Sequence, residues 1–391
     1  MNIIYKMEQA PSAEIKYLDD IKYLKEKIKY LENENELQRQ YIKSLNAQIE
    51  LMKEKISNLE SHNINSFPKN HINKKEFSTP LNLDINISER EPIHFMAKHH
   101  ANYIYCITLL KNKRLVSGGY DSKIIVYDKN YTNPELEIKE HSESVTSLIV
   151  ASNGNLISSS CDKTLKVFKI EENNNIDKVG LNYYVMQTIN TTHENNIIHV
   201  RELSSNKLVS CSLDTKLNFY IPQNNNYSLE ITINTPKSVY NFLEVLNAHL
   251  VIAFNDELKL FDLRQRKFIK ELKEINCYAD WVNDNLCLLN NNYLVVCGNG
   301  YLYVVDLIQF KLLNKVNTNS NNISLLYCNN KLIVGTNDGM IQEFKVNESY
   351  LSKISVKEKC HLNNIWQIIK DEEGNLISCG HDNYIKVWNK I

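Results

Sequence analysis

The sequence predicts an all-β fold, a seven-bladed β-propeller, preceded by a long parallel coiled-coil helix and a flexible linker. Three observations predict it. One short apolar phrase recurs seven times between residues 114 and 380. A polar turn and a second apolar run follow each copy. Ahead of them lies a seven-residue apolar repeat with no Gly or Pro.

The N-terminal element comes first in the chain. Residues 1–13 show no pattern and are expected to be disordered. Residues 14–62 are rich in Lys, Glu, Leu and Ile. Ile21, Ile28, Asn35, Ile42, Ile49 and Ile56 occupy one core position of the repeat, and Leu24, Leu31, Gln38, Leu45, Met52 and Leu59 the other. β-branched residues at the first with Leu at the second favour a parallel two-stranded coil. A buried Asn at the first position costs stability but fixes register. Asn35 fits that role, and Gln38 adds a second polar layer. In a parallel dimer Asp20 faces Lys25, Lys27 faces Glu32, Glu34 faces Arg39 and Lys55 faces Glu60, all opposite in sign. Each exposed pair is worth a few tenths of a kcal/mol, so their agreement specifies orientation more than strength. A homodimer is the expectation; a hetero-coil or an antiparallel pairing is the alternative.

Residues 63–91 lack periodicity and carry few large apolar side chains, which reads as a flexible linker. About 30 residues of such chain span roughly 30 Å on average. Two propellers on one coil would then move semi-independently.

The repeat region follows, over 92–391. Its recurring phrases are RLVSGG, NLISSS, KLVSCS, HLVIAF, YLVVCG, KLIVGT and NLISCG, with the central Leu at 115, 156, 208, 250, 294, 332 and 376. A period near 40–45 residues with several short strands per unit is the signature of a propeller blade. Six residues after each Leu stand Asp121, Asp162, Asp214, Asp256, Gly300, Asp338 and Asp382. Asp with Gly, Lys or Thr between two apolar runs reads as a tight hairpin. In four units a His precedes that Asp by 21 residues: His100, His141, His193 and His361. A Ser lies four before it: Ser117, Ser158, Ser210 and Ser378. An aromatic lies six after it: Tyr127, Phe168, Tyr220 and Trp388.

On these residues the region from about 92 to 391 resembles the WD-repeat family. The resemblance implies that the four sets form structural Asp–His–Ser–aromatic hydrogen-bond chains, one per blade. Departures are visible. Only the seventh unit has the Trp; Phe168 has no donor, and a Tyr places its hydroxyl differently. Units four to six lack the His and the Ser, and unit five lacks the Asp and has Val305 near the aromatic position. Those three units are expected to rest mainly on apolar packing. The chain ends three residues beyond Trp388, so the last blade is expected to take its outer strand from PIHFMA at 92–97, as other WD-repeat rings close.

His, Ser and Asp also make up a hydrolase triad, but a set repeated four times at fixed spacing reads as architecture. No Gly-x-Ser-x-Gly turn and no Gly-rich phosphate loop occurs, and the chain has only ten Gly. The nine cysteines form no CxxC pair. No enzyme activity, cofactor, metal or small-molecule substrate is expected. A net charge of −1 gives no field toward nucleic acid, and no apolar run approaches a membrane span. A cytoplasmic location is expected, with the nucleus as the alternative.

In the family the narrow top face carries the loop before each inner strand and the central hairpin. That mapping puts Tyr103, Tyr105, Tyr120, Leu213, Tyr240, Trp366 and His381 toward the top rim, as partner-binding candidates. Exposed Trp and Tyr are common anchors. Tyr105 and Trp366 are expected to be removable without loss of stability. The long interval between units two and three carries EENNNIDKVGLNYY at 171–184, expected to be an enlarged loop on the bottom face.

The expected function is a non-enzymatic dimeric scaffold that recruits partner proteins through the propeller. The alternatives are a substrate receptor of a ubiquitin ligase and a structural subunit of a cytoskeletal or ciliary assembly. The coil reading is directly testable. A peptide of residues 14–62 should be helical and should sediment as a dimer. Asn35→Ile should raise its melting temperature and broaden its oligomer distribution. A monomeric peptide in ultracentrifugation would sink the dimer.

Overall fold

The structure, a computed structural model, describes residues 92–389 except 97–98, 176–177, 225, 247, 278–283 and 358–359. The expected coil, with Asn35 and Gln38, the segment 1–13 and the linker lie outside the described residues.

Among the described residues, twenty-eight short strands build seven four-stranded antiparallel sheets arranged as a β-propeller. Blades one to six span 104–138, 145–190, 197–234, 241–272, 286–317 and 322–357. In each, four consecutive strands lie in chain order from the inner to the outer edge. Blade seven has its first three strands at Ile365–Lys370, Leu376–Gly380 and Ile385–Trp388. Its outer strand is Pro92–Met96, which pairs antiparallel with Ile385–Trp388. The ring is closed by the first described segment of the chain.

Alternation fixes this packing. The second strands are buried at almost every position, because both faces of an inner strand press against neighbouring blades: Leu115–Gly119, Leu156–Ser160 and Leu376–Gly380 are buried throughout. The outer strand of blade five instead alternates exposed and half-buried over Lys311–Asn317. The core is therefore seven apolar clusters, one at each seam.

Six of the seven central hairpins turn on a residue in the left-handed conformation; that of blade four does not. Ser122, Lys163, Thr215 and Asn383 take it directly after the hairpin Asp, with φ of 66°, 69°, 65° and 67°. Gly339 takes it in blade six at φ 77°, where a Cβ would also lie 2.0 Å from the His361 carbonyl oxygen. In blade five Gly300 takes it at φ 72°. Gly300 thus holds the position after the Asp, not the Asp position to which its sequence spacing assigned it. The turn between Tyr293–Gly298 and Tyr301–Asp306 is two residues long.

Two kinds of irregularity recur. The pairing of third and outer strands shifts register beside the aromatic position in every blade: at Tyr127, Phe168, Tyr220, Phe261, Val305, Phe344 and Trp388. All seven side chains are buried. The inner strands of blades one, two, three, six and seven carry a second bulge, which shifts the register at Tyr105, Thr146, Ile198, Ile323 and Trp366. A bulge re-aims the side chain it carries.

The segment 171–184 is not the expected loop. It belongs to a long hairpin, Thr164–Asn175 with Lys178–Asn190, whose pairing continues to Asn175 opposite Lys178. Arg114 of blade one donates to Glu172 at 2.6 Å, and Leu181 is buried in the seam between blades one and two. The insertion extends a blade because it continues the strand alternation and finds an ion-pair partner next door.

Closure can be tested by truncation. Removing residues 1–83 should leave thermal unfolding of the propeller unchanged. Removing 1–96 deletes four ladder pairings, which at roughly 1 kcal/mol per hydrogen bond should cost several kcal/mol and cause aggregation through the bared edge. Equal melting temperatures for the two truncations would exclude this closure.

Candidate functional site

Four blades contain the polar chain read from the sequence. His100 Nδ1 lies 2.8 Å from Asp121 and its Nε2 2.7 Å from Ser117 Oγ. The corresponding distances are 2.7 and 2.6 Å for His141 with Asp162 and Ser158, and 3.0 and 2.8 Å for His193 with Asp214 and Ser210. For His361 with Asp382 and Ser378 both are 2.8 Å. Trp388 Nε1 donates to Ser378 Oγ at 3.0 Å. The hydroxyls of Tyr127 and Tyr220 still reach Ser117 and Ser210, at 3.3 Å each, so a Tyr extends the chain with a longer bond. Phe168 ends it.

Each carboxylate also accepts backbone N–H groups from two segments. Asp121 takes those of Ala101 and Lys123, and Asp382 those of Leu362 and Tyr384. Every Asp therefore ties the loop before an inner strand to its central hairpin. Burial alone would raise the pKa of these carboxyls. Hydrogen bonds from the His and from backbone N–H outweigh it, and Asp121, Asp162, Asp214 and Asp382 all titrate below the ordinary range. Burial holds the His361 imidazole below its ordinary value. The four Ser hydroxyls are completely buried, so no substrate carbonyl reaches them.

Blade six carries a polar hook that the sequence reading missed. Ser320 Oγ donates to Asp338 at 2.8 Å, and Thr336 donates to the same carboxylate. Asn322 donates to Thr318 Oγ1 at 2.9 Å beside it. The expectation that this blade rests mainly on apolar packing is corrected: Ser and Thr reach the Asp from positions three residues later than the His and two later than the Ser. In blade four Asp256 instead forms a surface ion pair with Lys237 at 2.6 Å.

The top-face aromatics gather at the seam of blades seven and one. Tyr120 meets Tyr103 at 5.8 Å between ring centroids, Tyr103 meets His381 at 3.4 Å, and His381 stacks on Trp366 at 6.2 Å. Trp366 meets Tyr105 edge-on at 5.4 Å, and Tyr105 returns to Tyr120 at 6.3 Å. The five rings form a closed collar. Backbone bonds hold its parts: Tyr120 N–H donates to the Tyr103 carbonyl and His381 N–H to that of Asn364.

Two expectations need correction. Trp366 is only 6% exposed and, with Tyr105, packs into the seam core, so neither is removable without cost. Burial follows from the inner-strand bulge, which turns both side chains toward the ring axis. Tyr120, 51% exposed, is the open member of the collar. Leu213 and Tyr240 lie apart, on blades three and four; Leu213 packs against the seam between those blades.

Sequence spacing gave no signal for the central channel. Arg201 of blade three donates to Asp284 at 2.8 Å and to Asn241 at 3.3 Å. Asp284 accepts from Gln367 of blade seven at 3.4 Å, and Gln367 Oε1 accepts from the Ile107 N–H of blade one at 2.7 Å. Arg201, Asn241, Gln367 and Ile107 come from inner strands, and Asp284 from the segment just before the inner strand of blade five.

Three segments of the chain, 90–128, 132–169 and 353–389, match the family described as WD domain, G-beta repeat. These three segments carry WD40 repeats. They contain the Asp and aromatic of blades one, two and seven, and the propeller itself continues through blades three to six. Over 182 residues the chain is 27% identical to a Xenopus laevis protein called p21-activated protein kinase-interacting protein 1-like. That match covers 46% of this chain and 46% of the relative, less than half of the relative's length.

The bracing predicts a defined acid response. Each Asp has its pKa depressed in the fold, so its contribution is complete above about 3.8 and is lost as pH falls below that. His361 is held neutral, so its contribution is complete above about 6.5 and fades below it. The melting temperature should be flat from pH 8 to about 6.5, decline below, and fall steeply under about 3.8. Asp382→Asn and Ser378→Ala should each cost about 1–3 kcal/mol at pH 7.5. Calorimetry showing no loss for either would remove the bracing role.

Proposed function

We propose that the chain is a protein-interaction platform whose partner binds the aromatic collar at the seam of blades seven and one. The collar carries this reading: five rings in mutual contact, one of them half exposed, held by the two most regularly braced blades. Aromatic side chains offer large contact area at small entropic cost and dominate binding hot spots. The WD40 repeats support recruitment of protein partners, and the similar frog protein is itself named an interacting protein.

The N-terminal repeat extends the proposal to a dimer. Two propellers on one parallel coil would bind a multivalent partner with avidity set by the linker rather than by new contacts. A cytoplasmic setting belongs to the same reading.

The test compares two exposed tyrosines. Tyr120→Ala should leave the unfolding free energy within about 0.5 kcal/mol of wild type and weaken partner capture tenfold or more. Tyr350, 71% exposed on the outer strand of blade six, is the control. Tyr350→Ala should retain capture. Quantitative affinity capture from native cells checks both, and equal capture by the two variants would sink the collar as the binding site.

A further inference from the structure

The collar continues downward into the central channel, and there the hydrogen bonding does not close. Tyr105, Trp366, Gln367, Arg201 and Asp284 line a cavity of about 50 Å³. Tyr105 and Trp366 belong to both the collar and this lining. The side chains of Arg201 and Asp284 are 27% and 24% exposed, so the channel connects with solvent.

Two donors in this lining meet no acceptor among the described residues: Trp366 Nε1 and Arg201 Nε, each shielded from solvent. Both are donors only. A buried donor left without an acceptor carries its full desolvation penalty. On the other wall Asp284 uses one oxygen for Arg201 at 2.8 Å and holds the second in a single long contact with Gln367 at 3.4 Å. The lining residues therefore include two N–H groups without an acceptor among the described residues and one carboxylate oxygen in a single long contact.

We propose that this cavity is a side-chain subsite for a primary carboxamide, the end group of a Gln or Asn in a partner peptide. The inference rests on the collar being the partner-binding face. A carboxamide oxygen accepts from Trp366 Nε1 and Arg201 Nε, and its NH₂ donates to Asp284. The collar rings above pack on the aliphatic stem. Competing groups fit worse. A carboxylate brings a second anion beside Asp284 against the single cation of Arg201. A Lys or Arg side chain brings a cation to Arg201 and no acceptor for the indole. An apolar side chain leaves both donors unpaired. Gln has the longer stem and is the better match to a site beneath the collar.

The experiment uses the full chain labelled with 5-fluorotryptophan. Trp281, Trp366 and Trp388 give three fluorine signals, assigned by single Trp→Phe variants. N-acetyl-glutamine N-methylamide should shift the Trp366 signal saturably at millimolar concentration. Trp388, buried in the blade-seven bracing, should not move and reports an intact fold. The glutamate and lysine N-methylamides at the same concentration should leave Trp366 in place. Arg201→Lys keeps a cation beside Asp284 but lacks the Nε donor, and should weaken the glutamine response fivefold or more. Equal shifts from all three probes, or none from any, would overturn the subsite and leave water as the occupant. Because the titration needs no partner, its failure alongside loss of capture in Tyr120→Ala removes only the subsite. A glutamine-specific shift alongside unaffected Tyr120→Ala capture removes the collar reading, and with it the peptide assignment.

Discussion

A blade of this propeller cannot bury itself. Each four-stranded sheet presents two largely apolar faces, and both are covered only by the next blade on either side. Stability is therefore a ring of seven nearest-neighbour seams, each with its own apolar cluster. A stack of repeats with free ends must cap its terminal units. A ring has none, provided that it closes. Here closure depends on the pairing of Pro92–Met96 with Ile385–Trp388, which joins segments nearly the whole propeller apart in sequence. Joining them carries the loop-closure entropy of the intervening chain, so the seam that completes the fold is also the least local.

The polar bracing is arranged around that seam. The His–Asp–Ser chains of blades seven, one, two and three form one continuous arc that spans it. Each chain fixes a top loop to a hairpin through a carboxylate that accepts from both. Blades four and five, across the ring, are held by the largest apolar cluster, which includes Val305 at the position aromatics occupy elsewhere. Blade six stands between, with Ser320, Thr336 and Asp338 as a shorter hook. Apolar packing alone holds sheets together, but it does not fix loops. The face that must be held still is the one with the polar chains.

Much of this was legible in the sequence, because repetition at fixed spacing survives without contacts. Seven Leu-centred phrases set the blade count. The constant His-to-Asp and Ser-to-Asp intervals located the twelve His, Ser and Asp residues of the four chains, and the Asp-to-aromatic interval the rings beside them. The closing strand, Pro92–Met96, falls within the 92–97 segment expected for it. What failed to show has a physical cause in each case. Blade six reaches its Asp from Ser320, three residues later than the His register, so a search at constant spacing passes over it. Gly300 was misplaced by one residue because a shorter turn compresses the interval. The segment 171–184 reads as a loop because Asn-rich sequence is turn-like, while the ladder and Arg114 decide otherwise. The Arg201–Asp284–Gln367 bridge left no sequence trace, since the three residues come from different blades and meet only across the channel.

The burial of Trp366 follows from the same geometry that makes the collar. The inner-strand bulge occurs in five blades, yet only in blades one and seven does it carry an aromatic, Tyr105 and Trp366. Elsewhere Thr146 satisfies its hydroxyl on the Ile197 carbonyl at 2.7 Å, and Ile198 packs into the apolar seam. Among the described residues the indole finds no such acceptor. A side chain turned toward the axis and 94% hidden adds little contact area to a partner, but its N–H points a preference. Under the proposed function, Tyr120 would supply contact area and Trp366 a hydrogen-bond preference, on a seam braced on both sides. Preorganisation of this kind lowers the ordering cost of binding.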